Sequence, residues 1–227
     1  MRLAIHQPQY LPWLGYFDKI NKADVFVILD NVQYKKNEWQ NRNKIKTVDG
    51  WQWLTVPVLY KFPQKIQEVR INNRLSWNKK HLKSIKINYQ NSQFFDKYYP
   101  RIKEILNEDW NYISKINIRL IKMIVDILGI RTKLILASTL NTEGSKTDRL
   151  ISICRETGAD HYLSGIGAKD YLETDKFNKE NIKLEFQDFK HLVYPQQYGR
   201  FEPYMSVIDL IFNCGEDNMK IIEGKND

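Results

Sequence analysis

The first 44 residues constrain the fold more than any other stretch of this chain. They contain two short apolar runs, at 3–5 and 25–29, which are typical of buried strands. Between these runs, two prolines exclude helix from the segment 7–12, and apolar residues then recur at helical spacing over 14–20. This order predicts a βαβ unit with parallel strands, whose first loop lies at the carboxyl edge of the sheet. Ligands of open α/β sheets bind at that edge.

The second half of the chain resumes the alternation of strands and helices. Further strands are predicted at 133–137, 160–164 and 182–186, and a helix is predicted at 147–157. Strands that alternate with helices indicate a parallel sheet, so the predicted fold class is α/β with a Rossmann-like three-layer core.

Residues 76–129 lack strand signals and carry apolar residues at helical spacing. They predict three helices, the last of which stops at Gly129, a residue that readily ends a helix. We interpret these helices as an insertion between sheet strands, positioned to cover a site. The expected organisation is one domain over 1–219, followed by a disordered tail over 220–227.

A β-hairpin is predicted around Asp49 and Gly50, because two strand-like runs flank this turn-forming pair. Trp51 and Trp53 alternate with polar and apolar neighbours and therefore share one face of the hairpin. We expect this face to pack as aromatic core against the opening βαβ unit. The alternative is a stacking platform for a sugar or a base.

The chain carries 35 Lys and Arg against 27 Asp and Glu, a net charge of +8. This excess fits a nucleic acid, an anionic lipid or a phosphorylated small substrate, but the lysines are spread along the chain, as on an ordinary solvated surface. No stretch approaches the roughly 20 apolar residues of a membrane helix. Because the first strand begins almost at the initiator methionine, we expect a cytoplasmic protein. Cys154 and Cys214 lie in apolar, helix-like surroundings and are predicted to be free buried thiols.

Five polar or aromatic residues are expected at the carboxyl edge of the opening βαβ unit: His6, Gln7, Tyr10, Asp30 and Asn31. His6 is a candidate general base or phosphate ligand, although a lone histidine is equally compatible with a structural role. Asp30 follows a buried strand and is the second catalytic candidate, with a turn-capping role as the alternative. No metal site is predicted, and the sequence leaves the cofactor open.

Other candidate residues suit an anionic ligand. Lys36, Arg42 and Lys44 can neutralise phosphate oxygens, arginine with bidentate geometry. Taken one by one, each is better explained as an ordinary surface charge. Gly165 and Gly167, which follow a predicted strand ending at Ser164, can present backbone amides to an anion. A tight turn without a ligand explains the two glycines equally well.

The opening segment 5–17, which reads Ile-His-Gln-Pro-Gln-Tyr-Leu-Pro-Trp-Leu-Gly-Tyr-Phe, resembles the signature of the WbqC-like protein family. Four further groups fit the same family: Trp39 with Asn41 and Arg42; Thr147 with Arg149; Ser164 and Gly165 with Gly167, Ala168 and Tyr171; and the segment 206–215. On this resemblance Trp13, Asn41, Thr147 and Arg149 join Gln7, Tyr10, Asn31, Ser164 and both glycines as candidate substrate-binding residues. Members of the family are associated with gene clusters for bacterial surface polysaccharides such as O-antigen.

These observations favour a transferase that modifies an activated, nucleotide-linked sugar or an acyl intermediate in surface polysaccharide synthesis. The expected partner is a small, phosphorylated or nucleotide-linked molecule. The opening unit is faintly similar to the nucleotidyltransferase class, but Gly15 and Tyr16 stand where that class has glycine and histidine. Two alternatives remain: a nucleic-acid-binding module, disfavoured because the His-Gln-Pro loop is poorly suited to following a phosphate backbone, and a non-catalytic scaffold of a glycan-assembly complex.

Overall fold

A computed structural model describes residues 1–225 of the chain. The strands are β1 Arg2–His6, β2 Val25–Ile28, β3 Arg42–Thr47, β4 Gly50–Thr55, β5 Val58–Leu59, β6 Arg70–Ile71, β7 Lys133–Leu136, β8 His161–Ser164 and β9 Lys183–Phe186. The helices are α1 Leu14–Asn21, α2 Trp77–Tyr89, α3 Phe95–Asn107, α4 Ile113–Ile127, α5 Lys146–Thr157, α6 Thr174–Lys179, α7 Val207–Cys214 and α8 Asn218–Ile222.

The central sheet has five parallel strands in the order β7-β2-β1-β8-β9. Read along the chain, this is third, second, first, fourth and fifth, which is the doubly wound order of Rossmann-like folds. The predicted opening unit is confirmed, since α1 connects β1 and β2, and Leu3 lies opposite Val25 in parallel register. The predicted α/β class is therefore correct.

Alternating strand residues build one apolar core on each face of the sheet. Ala4 and Phe26 face a large core shared with α1, the insertion helices and α7. Leu3 and Val25 face a smaller core shared with α5 and α6. The sheet is thus the middle of three layers, with an apolar core on each of its two faces, as is usual for parallel sheets.

The predicted helical insertion is present as α2, α3 and α4, between β6 and β7. The expected disordered tail differs from the structure, since its first residues, 220–222, belong to α8. Ile222 is only 1% exposed and joins the large core, which explains why this segment is helical. Asn226 and Asp227, the end of that expected tail, lie outside the described residues.

The predicted hairpin is confirmed as β3 and β4, but the expectation that its tryptophans form core is wrong. Trp51 is 41% exposed, whereas Leu54 on the opposite face is buried. Gln52, also on that opposite face, hydrogen-bonds Ser84 of α2. The insertion thus covers the face that was expected to be outside, and the indoles point outward.

Both cysteines are free and buried, as predicted. Burial raises the pKa of the Cys154 and Cys214 thiols to about 12 each, so neither is a ready thiolate at neutral pH. Within residues 1–225, no helix combines the length and the apolar composition needed to cross a membrane.

Candidate functional site

The main cleft of the molecule opens where β1 and β8 lie side by side. The chain builds the sheet outward from β1 through β2 to β7, and then returns to add β8 on the other side of β1. The helix after β1 packs on one face of the sheet, whereas the segment after β8 packs on the other. Connections that diverge in this way leave a crevice at the carboxyl ends of the two strands, which is the usual ligand site of such sheets.

The cleft has a volume of about 780 Å³ and combines aromatic walls with few charges. Its aromatic residues are Trp13, Tyr16, Trp39, Tyr162, Tyr171, Phe186, Phe189 and Tyr204. Its charged residues are Lys19, Lys35 and Asp188. A cleft of this size and composition suits an organic molecule that carries rings and an anionic group.

The loop between β1 and α1 forms part of the cleft and is held from several elements. Asn117 of α4 donates to the carbonyls of Pro8 at 3.2 Å and Gln40 at 2.7 Å. Asn43 of β3 donates to the carbonyl of Leu11 at 2.7 Å, and the amide of Val207 donates to the carbonyl of Pro12 at 2.8 Å. The insertion and α7 therefore fix the loop in place, which preorganises the cleft.

Trp13 ends this loop, and its indole lies directly over Gly15. A Cβ at Gly15 would lie 2.3 Å from the Trp13 ring, so only glycine fits there. The other side of the Trp13 indole contacts Phe189 and Tyr204, with ring centroids 5.2 and 5.5 Å away. Trp13 thus joins the loop after β1 to the segment that follows β9.

His6 lies at the end of β1, half-buried in the cleft, with its ring stacked on Tyr16 at 5.0 Å. Burial, with a smaller contribution from the charge of Lys19, holds the pKa of His6 well below its usual range. The imidazole is therefore neutral at pH 7. Its Nδ1 is buried and has no hydrogen-bond partner among the described residues, while the residue itself lines the cleft.

Lys19 is the residue of the cleft that sequence reasoning missed. It is 2% exposed, and its Nζ donates one hydrogen bond, to the Ile5 carbonyl at 3.3 Å. Burial lowers the pKa of Lys19 to about 7. A usable signal was its spacing: Lys19 is three residues after Tyr16, so it shares the helix side that carries the cleft's aromatic residue.

No carboxylate within residues 1–225 pairs with Lys19, and the neighbouring acid explains why. Asp18 is 1% exposed and is already engaged by Lys22, at 2.9 Å. Gln187, which follows β9, donates to the other Asp18 oxygen at 2.6 Å and to the Gly15 carbonyl at 2.8 Å. The Lys19 amine is therefore buried on a wall of the cleft without a counter-charge among the described residues.

Two glycines of the turn after β8 give a matched test of access to Lys19. A Cβ at Gly165 would lie 3.7 Å from Lys19 Nζ, and Gly165 has φ −72°, which alanine also adopts. A Cβ at Gly167 would have no atom within 4 Å. We expect Gly165→Ala to fold and to weaken anionic ligands about tenfold, or about 1.4 kcal/mol, in calorimetric titration. Gly167→Ala is the control, and equal losses in both variants would contradict the assignment.

The structure divides the sequence-predicted site residues among several places. The main cleft contains His6, Gln7, Trp13, Ser164, Gly165 and Gly167. A second, smaller cleft contains Asn31 and Arg149. Gln7 is held by Gln40, whose Nε2 donates to Gln7 Oε1 at 2.5 Å.

Tyr10 and Asp30 lie in neither cleft. Tyr10 is fully buried, and its hydroxyl lies 2.9 Å from His81 Nδ1 in α2. Asp30 is 4% exposed and accepts from the Ser138 amide at 2.9 Å and the Ser138 hydroxyl at 2.7 Å. Tyr10 therefore anchors the insertion, and Asp30 joins the end of β2 to the turn after β7. A structural link accounts for Asp30 better than the predicted catalytic role.

Asn41 and Thr147 are also buried outside both clefts. Asn41 donates to the Val56 carbonyl at 2.9 Å, which closes the base of the hairpin. The Thr147 hydroxyl accepts from the Glu173 amide at 3.4 Å, which ties α5 to the segment before α6. Both contacts link structural elements, and a substrate contact at either residue stays a prediction.

Two of the three predicted phosphate-neutralising cations, Arg42 and Lys44, lie on the hairpin beside the main cleft. Arg42 stacks over Trp53 at 4.3 Å, and Lys44 lies 3.9 Å from the centre of Trp51. Trp39, which lines the cleft, contacts Trp53 at 5.5 Å. This cation–indole stack extends the cleft along the outer face of the hairpin. Lys36 is exposed and lies in neither cleft, whereas its neighbour Lys35 lines the main one.

No group of three or more His, Cys, Asp or Glu side chains in residues 1–225 is arranged to hold a metal ion.

Comparisons with known proteins match this chain to one protein family and to one curated relative. The model of the WbqC-like protein family matches residues 7–221. A curated relative, "Uncharacterized protein Rv1507c" of Mycobacterium tuberculosis, is 38% identical over 220 residues, which cover 95% of each chain. No solved structure gives a significant match.

Proposed function

This chain belongs to the WbqC-like protein family, and from that premise we propose that it is a transferase acting on an activated sugar or acyl intermediate in bacterial surface polysaccharide synthesis. The substrate is a nucleotide-linked or otherwise phosphorylated molecule bound in the cleft between β1 and β8. The family name is consistent with such a pathway, and the reaction is assigned from the chemistry of the cleft.

The observation that carries the proposal is the uncompensated Lys19 amine. Burying a charge is costly unless it is paired, and within residues 1–225 the only polar partner of Lys19 is one carbonyl. A phosphoryl oxygen beside Nζ supplies the missing counter-charge and restores the protonated lysine. The cleft therefore favours an anionic ligand over a neutral one.

The remaining residues of the cleft suit the rest of such a substrate. Trp13 and Trp39 offer aromatic faces for a sugar or a base. His6 is held neutral beside the cleft, so it is able to accept a proton from an attacking hydroxyl or amine. In this assignment, for a nucleotide-linked sugar, the attacking oxygen or nitrogen bonds to the anomeric carbon as the bond from that carbon to the nucleoside diphosphate breaks. Lys19 binds the departing diphosphate, and His6 takes the proton of the attacking group as the general base.

A ligand panel tests the proposal. Differential scanning fluorimetry would compare wild type, His6→Ala and Lys19→Met with nucleotide-linked sugars, acetyl-coenzyme A and a short oligonucleotide, with and without Mg²⁺. A ligand at about 100 times its Kd stabilises by about 2.7 kcal/mol, enough for a shift of several degrees. We expect one sugar nucleotide or thioester to shift wild type and not Lys19→Met. A salt-sensitive shift with the oligonucleotide alone would refute the proposal in favour of nucleic-acid binding.

A further inference from the structure

A second cleft of about 410 Å³ lies beside the first one. The wall between the two clefts is shown by two pairs of residues that are close in sequence but line different clefts. Leu29 lines the main cleft and Asn31 the second, while Leu150 lines the main cleft and Arg149 the second. The two clefts are therefore separated only by the segment after β2 and by the early turns of α5.

The second cleft carries an excess of positive charge. Its cations are Lys65, Lys146 and Arg149, and its one acidic residue among the described part of the chain is Glu68. The Glu68 carboxylate accepts from the Lys65 backbone amide at 2.9 Å, and so is engaged in its own turn. The cleft thus favours anions.

Arg149 has no carboxylate partner within residues 1–225, although an acid precedes it. Asp148 pairs instead with Lys176 at 2.8 Å. The Nε of Arg149 is buried without a hydrogen-bond partner, and so is the Oδ1 of Asn31. Buried polar atoms are nearly always paired, so these two side chains keep hydrogen-bonding capacity that a ligand of the cleft can use. A suitable ligand would offer oxygen atoms to the Arg149 guanidinium and a hydroxyl donor to the Asn31 amide oxygen.

We propose that the second cleft binds a sugar that carries a phosphoryl or carboxylate group, with the anion on Arg149 and a sugar hydroxyl on Asn31. This inference rests on the proposed transferase function and adds the second substrate to it. A transferase that passes the group directly from donor to acceptor binds both together, and two clefts that share a wall offer a separate site for each. Arginine suits this role, because its planar guanidinium binds two oxygens of one phosphate or carboxylate together.

The test uses calorimetric titration with glucose 1-phosphate, glucuronate and neutral glucose. Wild type should bind at least one of the two anionic sugars and not glucose. Arg149→Gln should weaken that binding by at least about tenfold, as expected for the loss of a charge-assisted bond. Arg155→Gln is the matched control: it removes the same charge from α5, where Arg155 pairs with Glu180 outside the cleft. It should leave the affinity unchanged.

Lys19→Met separates this inference from the proposed function. It should leave the anionic sugar bound, because Lys19 lines only the main cleft. Three results would each overturn the second site. The first is that Lys19→Met no longer binds the anionic sugar, and the second is that Arg149→Gln and Arg155→Gln lose affinity equally. The third is that wild type binds neither anionic sugar at millimolar concentration. The proposed function fails separately, if sugar nucleotides and thioesters bind equally well to wild type and to Lys19→Met.

Discussion

Lys19→Met is expected to stabilise the free protein at pH 6 while it abolishes binding of the anionic substrate. Burial lowers the pKa of Lys19 from 10.5 to about 7. Such a shift corresponds to a penalty of up to about 5 kcal/mol whenever the lysine is charged. Methionine fills a similar volume without that penalty, although the bond to the Ile5 carbonyl is lost. For a chain of this length, 1 kcal/mol moves Tm by about 2–4 °C, so a rise of several degrees should appear in a thermal melt.

The stability that Lys19→Met gains over wild type should decrease as the pH rises. Below pH 7 the lysine is protonated in both the folded and the unfolded state, so wild type bears the full penalty. Between about pH 7 and 10.5 the folded state has released a proton that the unfolded state retains, so wild-type stability rises with pH. The Tm difference between Lys19→Met and wild type should therefore shrink over this window.

Lys22→Met provides the contrasting control. Lys22 is three residues further along the chain and pairs with the buried Asp18 carboxylate. Its removal leaves that carboxylate without its cation, so this variant should be less stable than wild type. A Lys19→Met protein that loses stability as Lys22→Met does would show that Lys19 is structural.

Asp209→Ala is expected to cost about 3–5 kcal/mol of folding free energy, because it removes the acceptor of two buried hydroxyls, those of Tyr89 and Tyr194. The Nε2 of Gln196 loses one of its acceptors and keeps the Glu202 carbonyl. Asp209 of α7 is fully buried and accepts from the Tyr89 hydroxyl at 2.9 Å, the Tyr194 hydroxyl at 2.8 Å and Gln196 Nε2 at 2.8 Å. Tyr194 and Gln196 belong to the segment between β9 and α7, which also contributes Phe189 and Tyr204 to the main cleft. The variant should therefore also weaken ligand binding.

The charge of Asp209 gives this network a pH dependence. Burial raises the pKa of Asp209 to about 6, and this outweighs the opposing effect of its three hydrogen bonds. The folded state thus holds a proton that the unfolded state releases above pH 3.8. Stability from this group is present below pH 3.8 and is lost as the pH rises to about 6, by about 3 kcal/mol in total.

Urea unfolding of wild type and Asp209→Asn at pH 4 and pH 7 measures this effect. The amide keeps the shape of the side chain but does not titrate, so the variant should lack this pH-dependent loss. Taking the difference between the two proteins removes the contribution of other titrating groups. Identical pH profiles for wild type and Asp209→Asn would contradict the raised pKa.

The layout of the sheet could be predicted because it depends on local patterns. Apolar strands and the periodic helix between them define the opening βαβ unit, and they place His6 and Gln7 at its edge. The positions of side chains in the following loop could not be predicted. Leu11 has φ +44°, and the loop turns Gln9 toward the cleft but Tyr10 toward His81. Such a backbone path depends on contacts from α4, β3 and α7, which are distant in sequence.

The environments of two groups, the hairpin tryptophans and Lys19, could not be predicted for a similar reason. The alternation of the hairpin correctly put Trp51 and Trp53 on one face, but packing of α2 decides which face is covered. Lysine is usually exposed, so the spacing of Lys19 from Tyr16 alone did not predict a buried site residue; its burial follows from the packing of α1, which is covered on nearly every side. Elements distant in sequence bury Lys19, and this burial lowers its pKa.

The most direct test of this account is an NMR titration of the lysine amines, with the Lys19 signal assigned by its absence in Lys19→Met. In the free protein we predict a titration midpoint at about pH 7. Added sulfate, an anion that does not titrate in this range, should raise that midpoint by occupying the place of the phosphoryl group beside Nζ. A Lys19 midpoint near 10.5, or a midpoint that sulfate leaves unchanged, would contradict the proposal that the buried Lys19 amine binds the anionic group of a substrate.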